Sequence, residues 1–241
     1  MTGQVSNREA VPAISHHPHF DVVAIGASAG GIHALETILG SLPEKFQVGI
    51  AVVLHLSPDY ESMLVRVLTR RTGRRVQWAT EGARLGTGTI YVAPPDRHLE
   101  VDAQGSLTLA TTPRVNFSRP SVDLLFTSAA TVFGARTLAV LLTGNGADGK
   151  AGAVAVCAAG GVVIAQDEAS SEYFGMPREA ILAGAATMVR PLDAIASALT
   201  ALVRDGRPPL ADLPPLPNVD LPSRRSVRAN DADSTTRSPG S

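Results

Sequence analysis

Three residues of this 241-residue chain have the types and settings that nucleophilic catalysis requires. Ser28 lies in Gly26-Ala27-Ser28-Ala29-Gly30, directly after the apolar run Val22-Val23-Ala24-Ile25. The segment fits G-x-S-x-G, in which small neighbours permit a sharp strand-to-helix turn that exposes the hydroxyl. The same glycine-rich backbone, Ala29 to Gly31, gathers N–H groups at the positive end of a helix, and such a nest suits a phosphate as well as an oxyanion. A dinucleotide site wants G-x-G-x-x-G and an acid closing the second strand. Here the middle glycine position is Ser28, and the run Ala51-Val52-Val53-Leu54 closes in His55. His55 is either a structural histidine at a strand mouth or a general base for Ser28. Asp148, in Leu141-Leu142-Thr143-Gly144-Asn145-Gly146-Ala147-Asp148-Gly149, follows another apolar run. It can orient His55 by accepting its second ring N–H, or serve as a helix cap or turn residue. His33 and His98 are weaker candidates, the first expected to face solvent from the helix after the turn and the second to begin a hairpin.

These residues share a site only if the elements that carry them end on one edge. Short Val/Ile/Leu-rich runs alternate with amphipathic helical patterns, which predicts a doubly wound α/β fold: a mostly parallel sheet with helices on both faces. Strands are predicted at Asp21–Gly26, Gly49–His55, Arg75–Thr80, Thr89–Ala93, Thr137–Leu142 and Val162–Ala165. The runs His98–Val101 and Ser106–Ala110 predict an antiparallel hairpin appended to that sheet. Helices are expected to start near Gly31, Asp59, Ser121, Gly149, Pro177 and Leu192, with Ser121 placed as an N-cap. In such a sheet, ligands and catalytic groups gather outside the carboxyl ends of the strands, where Ser28, His55 and Asp148 all fall. Together they favour acyl transfer. Their order along the chain, Ser then His then Asp, differs from the Ser, acid, His order of α/β-hydrolases.

Composition bounds the partners. A hydrophobic content of 44% with 18% charged residues suits a soluble globular domain, and a net charge of −1 without a basic block leaves no footprint for nucleic acid. No apolar run approaches the roughly 18 to 20 residues of a membrane span, and no signal segment opens the chain, so a cytoplasmic location is expected. Residues 1–19 are expected to form a disordered leader, 20–204 a single catalytic domain and 205–241 a disordered tail rich in Pro, Ser and Arg. The leader's His16, His17 and His19 lack metal-ligand spacing, and no metal or organic cofactor is expected. Cys157, the single cysteine, excludes disulfides within the chain and is expected to be a small buried hydrophobe.

Six segments carry a resemblance to a known family: GASAGG (26–31), HLSPDY (55–60), YVAPPDRHL (91–99), RPSVDLLF (119–126), LLTGNGADGKAG (141–152) and QDEASSEYFGMPREAI (166–181). In this order they resemble the catalytic domain of CheB-type protein-glutamate methylesterases of bacterial chemosensory systems, across residues 20–203. The resemblance implies a Ser28-His55-Asp148 triad and hydrolysis of glutamate γ-methyl esters on the cytoplasmic helices of chemoreceptors, releasing methanol. It also implies methylated receptors and chemosensory regulators as partners, and the same triad could deamidate receptor glutamines, since an amide differs mainly in its poorer leaving group. A catalytically weak homologue acting as a binding module is the alternative. Asp59, Tyr60, Asn145, Tyr173, Phe174 and Met176 are candidate residues of the substrate groove, with loop packing as their other reading. The family often has Thr where this chain has Ala29 and Met where it has Asn145, differences that bear on rate rather than reaction type. Relatives commonly carry an N-terminal receiver domain. This sequence begins almost directly at the first catalytic strand, so control by its own phosphorylation is not expected.

Overall fold

β1 (Val22–Ala27) is apolar throughout because both of its faces are covered. Val23, Ile25 and Ala27 enter one core and Val22 and Ala24 the other. The computed structural model describes residues 20–55 and 63–206. After β1 come α1 (Gly31–Ser41), β2 (Gly49–Leu54), α2 (Leu64–Thr72), β3 (Arg75–Trp78) and β4 (Thr89–Val92). The hairpin β5 (His98–Val101) and β6 (Leu107–Ala110) leads into α3 (Val122–Phe133). Then follow β7 (Thr137–Leu141), α4 (Lys150–Ala158), β8 (Val162–Gln166), α5 (Gly175–Leu182), β9 (Met188–Arg190) and α6 (Leu192–Asp205).

Seven strands form one sheet in the order β3-β4-β2-β1-β7-β8-β9, every pair parallel. On one face Leu35, Ile38 and Leu39 of α1, Leu68 of α2 and Ile195, Leu199 and Leu202 of α6 cover the large strand residues Ile25, Val52, Val140 and Ile164. On the other, Leu125 and Phe126 of α3, Val156 of α4 and Ala180 of α5 meet the smaller Ala24, Ala51 and Ala139. Small strand side chains let these helices lie close. The strand order reverses about β1, which pairs with β2 on one side and β7 on the other. This is the topological switch point at which open α/β sheets form their crevice.

The doubly wound class, the predicted strands and the neighbouring of β1 and β2 agree with the structure, to within two residues at the strand ends. The hairpin forms its own two-stranded sheet, packed on α3 and tied by Leu107 to the backbone of Gly82 and Ala83 between β3 and β4. β9 escapes the sequence reading because an edge strand of three residues carries too few positions to show a period. Two other expectations need correction. Cys157 is exposed, since Ala153 and Val156 take the inward positions of α4 and the next residue faces outward. Ser121 holds the N-cap position of α3, yet its hydroxyl bonds to Asp148 and not to the helix. The leader (1–19), the HLSPDY residues 56–62 with Asp59, Tyr60 and the helix start near Asp59, and the tail from 207 lie outside the described residues. No helix among the described residues is long and apolar enough to cross a membrane.

Candidate active site

Ser28 emerges at the end of β1 in a turn tied to both neighbouring strand ends. Its N–H donates to Thr143 O (3.0 Å), and His55 N–H donates to Ala27 O (3.1 Å). Gly30, at φ 77°, caps α1 in the left-handed region, where a glycine avoids the Cβ penalty that other residues meet. Gly31 N–H donates to Ser28 O (2.8 Å), so of the three turn residues read as oxyanion donors, Gly31 is already engaged. Among the described residues the N–H groups of Ala29 and Gly30 make no hydrogen bond within the protein. With the positive end of α1 behind them, they are available to developing negative charge.

His55 follows β2 and Asp148 lies in the loop after β7, so they meet across the end of β1: His55 Nε2 is 2.8 Å from Asp148 Oδ2. Asp148 is 3% exposed and accepts four more bonds. Oδ1 takes the Ser121 hydroxyl (2.8 Å) and the N–H groups of Asp123 (3.1 Å) and Gly149 (3.1 Å), and Oδ2 takes Val122 N–H (2.8 Å). Burial pushes the Asp148 carboxyl up, but the bonds from His55, Val122, Asp123 and Ser121 outweigh it and hold the group below its ordinary value. An ionised carboxylate only accepts, so the ring proton of neutral His55 resides on Nε2 and the basic lone pair on Nδ1. Asp148 thus contacts both the His55 ring and a helix N-terminus, though not that of α4, the helix that follows it. The helix it caps is α3, which the sequence does not place beside it.

Asp123, in the first turn of α3, is a second buried carboxylate at this junction. It accepts Gly152 N–H (2.7 Å) and Asn116 Nδ2–H (2.7 Å). Burial raises its carboxyl and the neighbouring Asp148 charge adds to the rise, against the opposing bond from Gly152. Thr143 is another positioning residue that sequence reading missed. Its hydroxyl donates to Ala29 O (3.0 Å), with Tyr173 O at 3.2 Å as the alternative acceptor, and accepts Tyr173 N–H (2.9 Å). Its own N–H donates to the buried Gln166 Oε1 (2.8 Å). Thr143 and Asp123 shared one legible signal: each is a polar residue directly abutting an apolar run.

The groove candidates divide. Tyr173 is 40% exposed beside the Ser28 turn, and Asn145 is exposed. Met176 is fully buried; a Cβ at Gly144 would overlap its Sδ and stand 2.7 Å from Ser28 Cβ, so Met176 supports the Thr143-Gly144 loop from beneath instead of lining a groove. Phe174 packs against Ala165, Ile181 and Ala186, which is the loop-packing role. His98 is completely buried in the hairpin with Nε2 on Pro113 O (3.1 Å), away from the site. His33 is exposed on α1, as expected, yet it borders an open cleft of about 340 Å³ formed with Ser28, Ala29, Gly30, Ile32, Leu54 and His55. Among the described residues no cluster of His, Cys, Asp and Glu is arranged to hold a metal ion. Nor does a hydrogen bond join Ser28 Oγ to His55 among them.

A family model described as CheB methylesterase matches residues 23–199. The protein-glutamate methylesterase FrzG of Myxococcus xanthus is 43% identical over 192 residues, covering 80% of this chain and 56% of FrzG. A protein-glutamate methylesterase/protein-glutamine glutaminase of Anaeromyxobacter dehalogenans is 42% identical over 204 residues, covering 85% of this chain and 59% of the relative. The chain thus spans between half and three fifths of the length of these two relatives. The crystal structure of the CheB methylesterase catalytic domain of Thermotoga maritima superposes with a TM-score of 0.74 at 37% identity, covering 76% of this chain and 99% of that one. On this match in sequence and in fold, the chain belongs to the CheB methylesterase family.

Proposed function

We propose that residues 20–204 form a serine hydrolase domain that removes γ-methyl esters from glutamates on chemoreceptor cytoplasmic helices. The observation that carries the reading is the 2.8 Å His55–Asp148 pair beside the cleft into which the Ser28 turn opens. A Ser28 rotamer that brings Oγ within reach of Nδ1 lets His55 take the hydroxyl proton as Oγ attacks the ester carbonyl. The carbonyl oxygen becomes an oxyanion facing the N–H groups of Ala29 and Gly30, each well-placed donor contributing about 3–4 kcal/mol. The tetrahedral intermediate collapses as imidazolium protonates the departing methoxide, giving methanol and a glutamyl ester of Ser28. Water, deprotonated by His55, then releases glutamate. Throughout, buried Asp148 stabilises the imidazolium without accepting its proton.

The same sequence applied to a carboxamide releases ammonia, and the glutaminase in the names of relatives favours this second activity. Both belong to the cytoplasmic side of a receptor. The test is to incubate the protein with methyl-esterified receptor cytoplasmic fragments and quantify methanol and ammonia separately. Methanol release that vanishes in Ser28→Ala, with the circular dichroism spectrum retained, is the expected result. A serine that neither turns over ester nor reacts with an organophosphonate probe would reduce the domain to a binding module.

A further inference from the structure

Among the described residues, four of the five large apolar side chains left exposed cluster at helix starts, and the fifth, Val154, lies in the middle of α4. The five are Ile32, Met63, Phe117, Val154 and Tyr173. Ile32 is in the first turn of α1, Met63 immediately precedes α2, Phe117 precedes α3 and Tyr173 precedes α5. α1, α2 and α5 follow strands of the parallel sheet, so their starts lie at its carboxyl edge, which bears Ser28, His55 and Asp148, and the first turn of α3 is held at that edge by its bonds to Asp148.

Phe117 is the extreme case at 95% exposure. It occupies the tip of a tight turn in which Val115 N–H donates to Ser118 O (3.1 Å) and Ser118 N–H to Val115 O (2.9 Å). Both middle residues have positive φ, 48° at Asn116 and 63° at Phe117. Asparagine tolerates that region, whereas a bulky aromatic there is an outlier that its surroundings must impose. The turn is fastened to the catalytic machinery: Asn116 Nδ2 donates to Asp123 Oδ2 (2.7 Å), and Asp123 N–H donates to Asp148 Oδ1 (3.1 Å). An aromatic ring is thus held out in water, in an unfavourable backbone conformation, two hydrogen-bonded residues away from the triad carboxylate.

We propose that Phe117 is a specificity-determining anchor that packs on the apolar face of the ester-bearing helix of the substrate protein, with Ile32 and Tyr173 forming the rest of the rim. The inference rests on the methylesterase reading for its occupant. A glutamyl ester reaching Ser28 from a helical rod brings that rod onto this rim, and a rod too wide to enter the cleft is bound by what surrounds it. Phe117 is not among the residues that form the cleft beside Ser28, so its role is to touch the polypeptide and not the reacting carbonyl.

The experiment compares a methyl-esterified chemoreceptor cytoplasmic fragment with the γ-methyl ester of N-acetylglutamate. In Phe117→Ala the ratio of kcat/KM for the fragment to kcat/KM for the small ester is expected to fall roughly tenfold or more, through KM on the fragment. Phe117→Leu should recover most of the ratio. Affinity of fluorescein-labelled fragment, measured by anisotropy in the Ser28→Ala background, should fall by the same factor when Phe117→Ala is added. Phe117→Gly, whose backbone accepts positive φ, should melt no lower than the parent. An unchanged ratio and affinity overturn the proposal, as does a lowered melting temperature in Phe117→Gly, which would mark the ring as structural. A parent protein that cleaves neither ester refutes the methylesterase reading alone, and the anisotropy pair then decides the surface.

Discussion

Replacing Asp148 with asparagine separates the two jobs of this carboxylate. The amide keeps one oxygen, which can serve the Ser121 hydroxyl and the Asp123 and Gly149 N–H groups at the Oδ1 position. At the Oδ2 position an NH2 group then faces Val122 N–H, donor against donor, inside a residue that is 3% exposed. Leaving that buried N–H unmatched costs about 1–3 kcal/mol, and removing a negative charge from the start of α3 costs about 0.5–1 kcal/mol. Relief of the repulsion with Asp123 offsets part of this, so we expect a net loss of about 1–3 kcal/mol in urea unfolding at neutral pH. His55 must now accept at Nε2, which moves its proton to Nδ1 and removes the base. In a serine protease the corresponding change lowers kcat about 10⁴-fold, and a loss of that order is expected in methanol release. The stability difference carries its own check. Because the folded pKa of Asp148 is lowered, its contribution is present above the ordinary carboxylate value of 3.8 and is lost as pH falls through the lowered one. The gap between parent and Asp148→Asn should therefore close in strong acid. A gap under about 0.5 kcal/mol at neutral pH, the scale of an uninvolved surface change, together with a near-normal rate, would refute the shared role.

Three further outcomes follow from the same contacts. Asp123 has the opposite sign: its folded pKa is raised, so the stability it contributes is present below 3.8 and lost as pH rises through the raised value. Stability of Asp123→Asn relative to the parent should accordingly climb across that window and then level off, as read by urea unfolding over a pH series. Thr143→Val strands Tyr173 N–H and frees Ala29 O, which should cost about 1–2 kcal/mol and lower kcat more than it raises KM. Gly144→Ala forces a methyl against Ser28 Cβ and Met176, and about 1–3 kcal/mol of overpacking should appear as a lower melting temperature together with slower acylation by an organophosphonate.

The apolar pattern alone located the strands and helices other than β9 and named Ser28, His55 and Asp148 as candidates. Continuous apolar runs such as Val22–Ile25 and Ala51–Leu54 have one physical explanation, a strand covered on both faces, and the residues that end them are then at one edge by construction. Ser28 and His55 were legible for that reason. What pattern cannot supply is the lateral order of the strands, because register and neighbour choice depend on contacts far apart in the chain. Only the fold set β7 beside β1, which brings Asp148 over the end of β1 to His55, 93 positions away. Only the fold aimed the first turn of α3 at Asp148, turning Ser121 from a cap into a partner of the carboxylate and making Asp123 its charged neighbour. Burial, too, was decided in three dimensions: Met176 went under the loop and Cys157 to the surface, while Phe117 was held out at a tip that no periodicity marks.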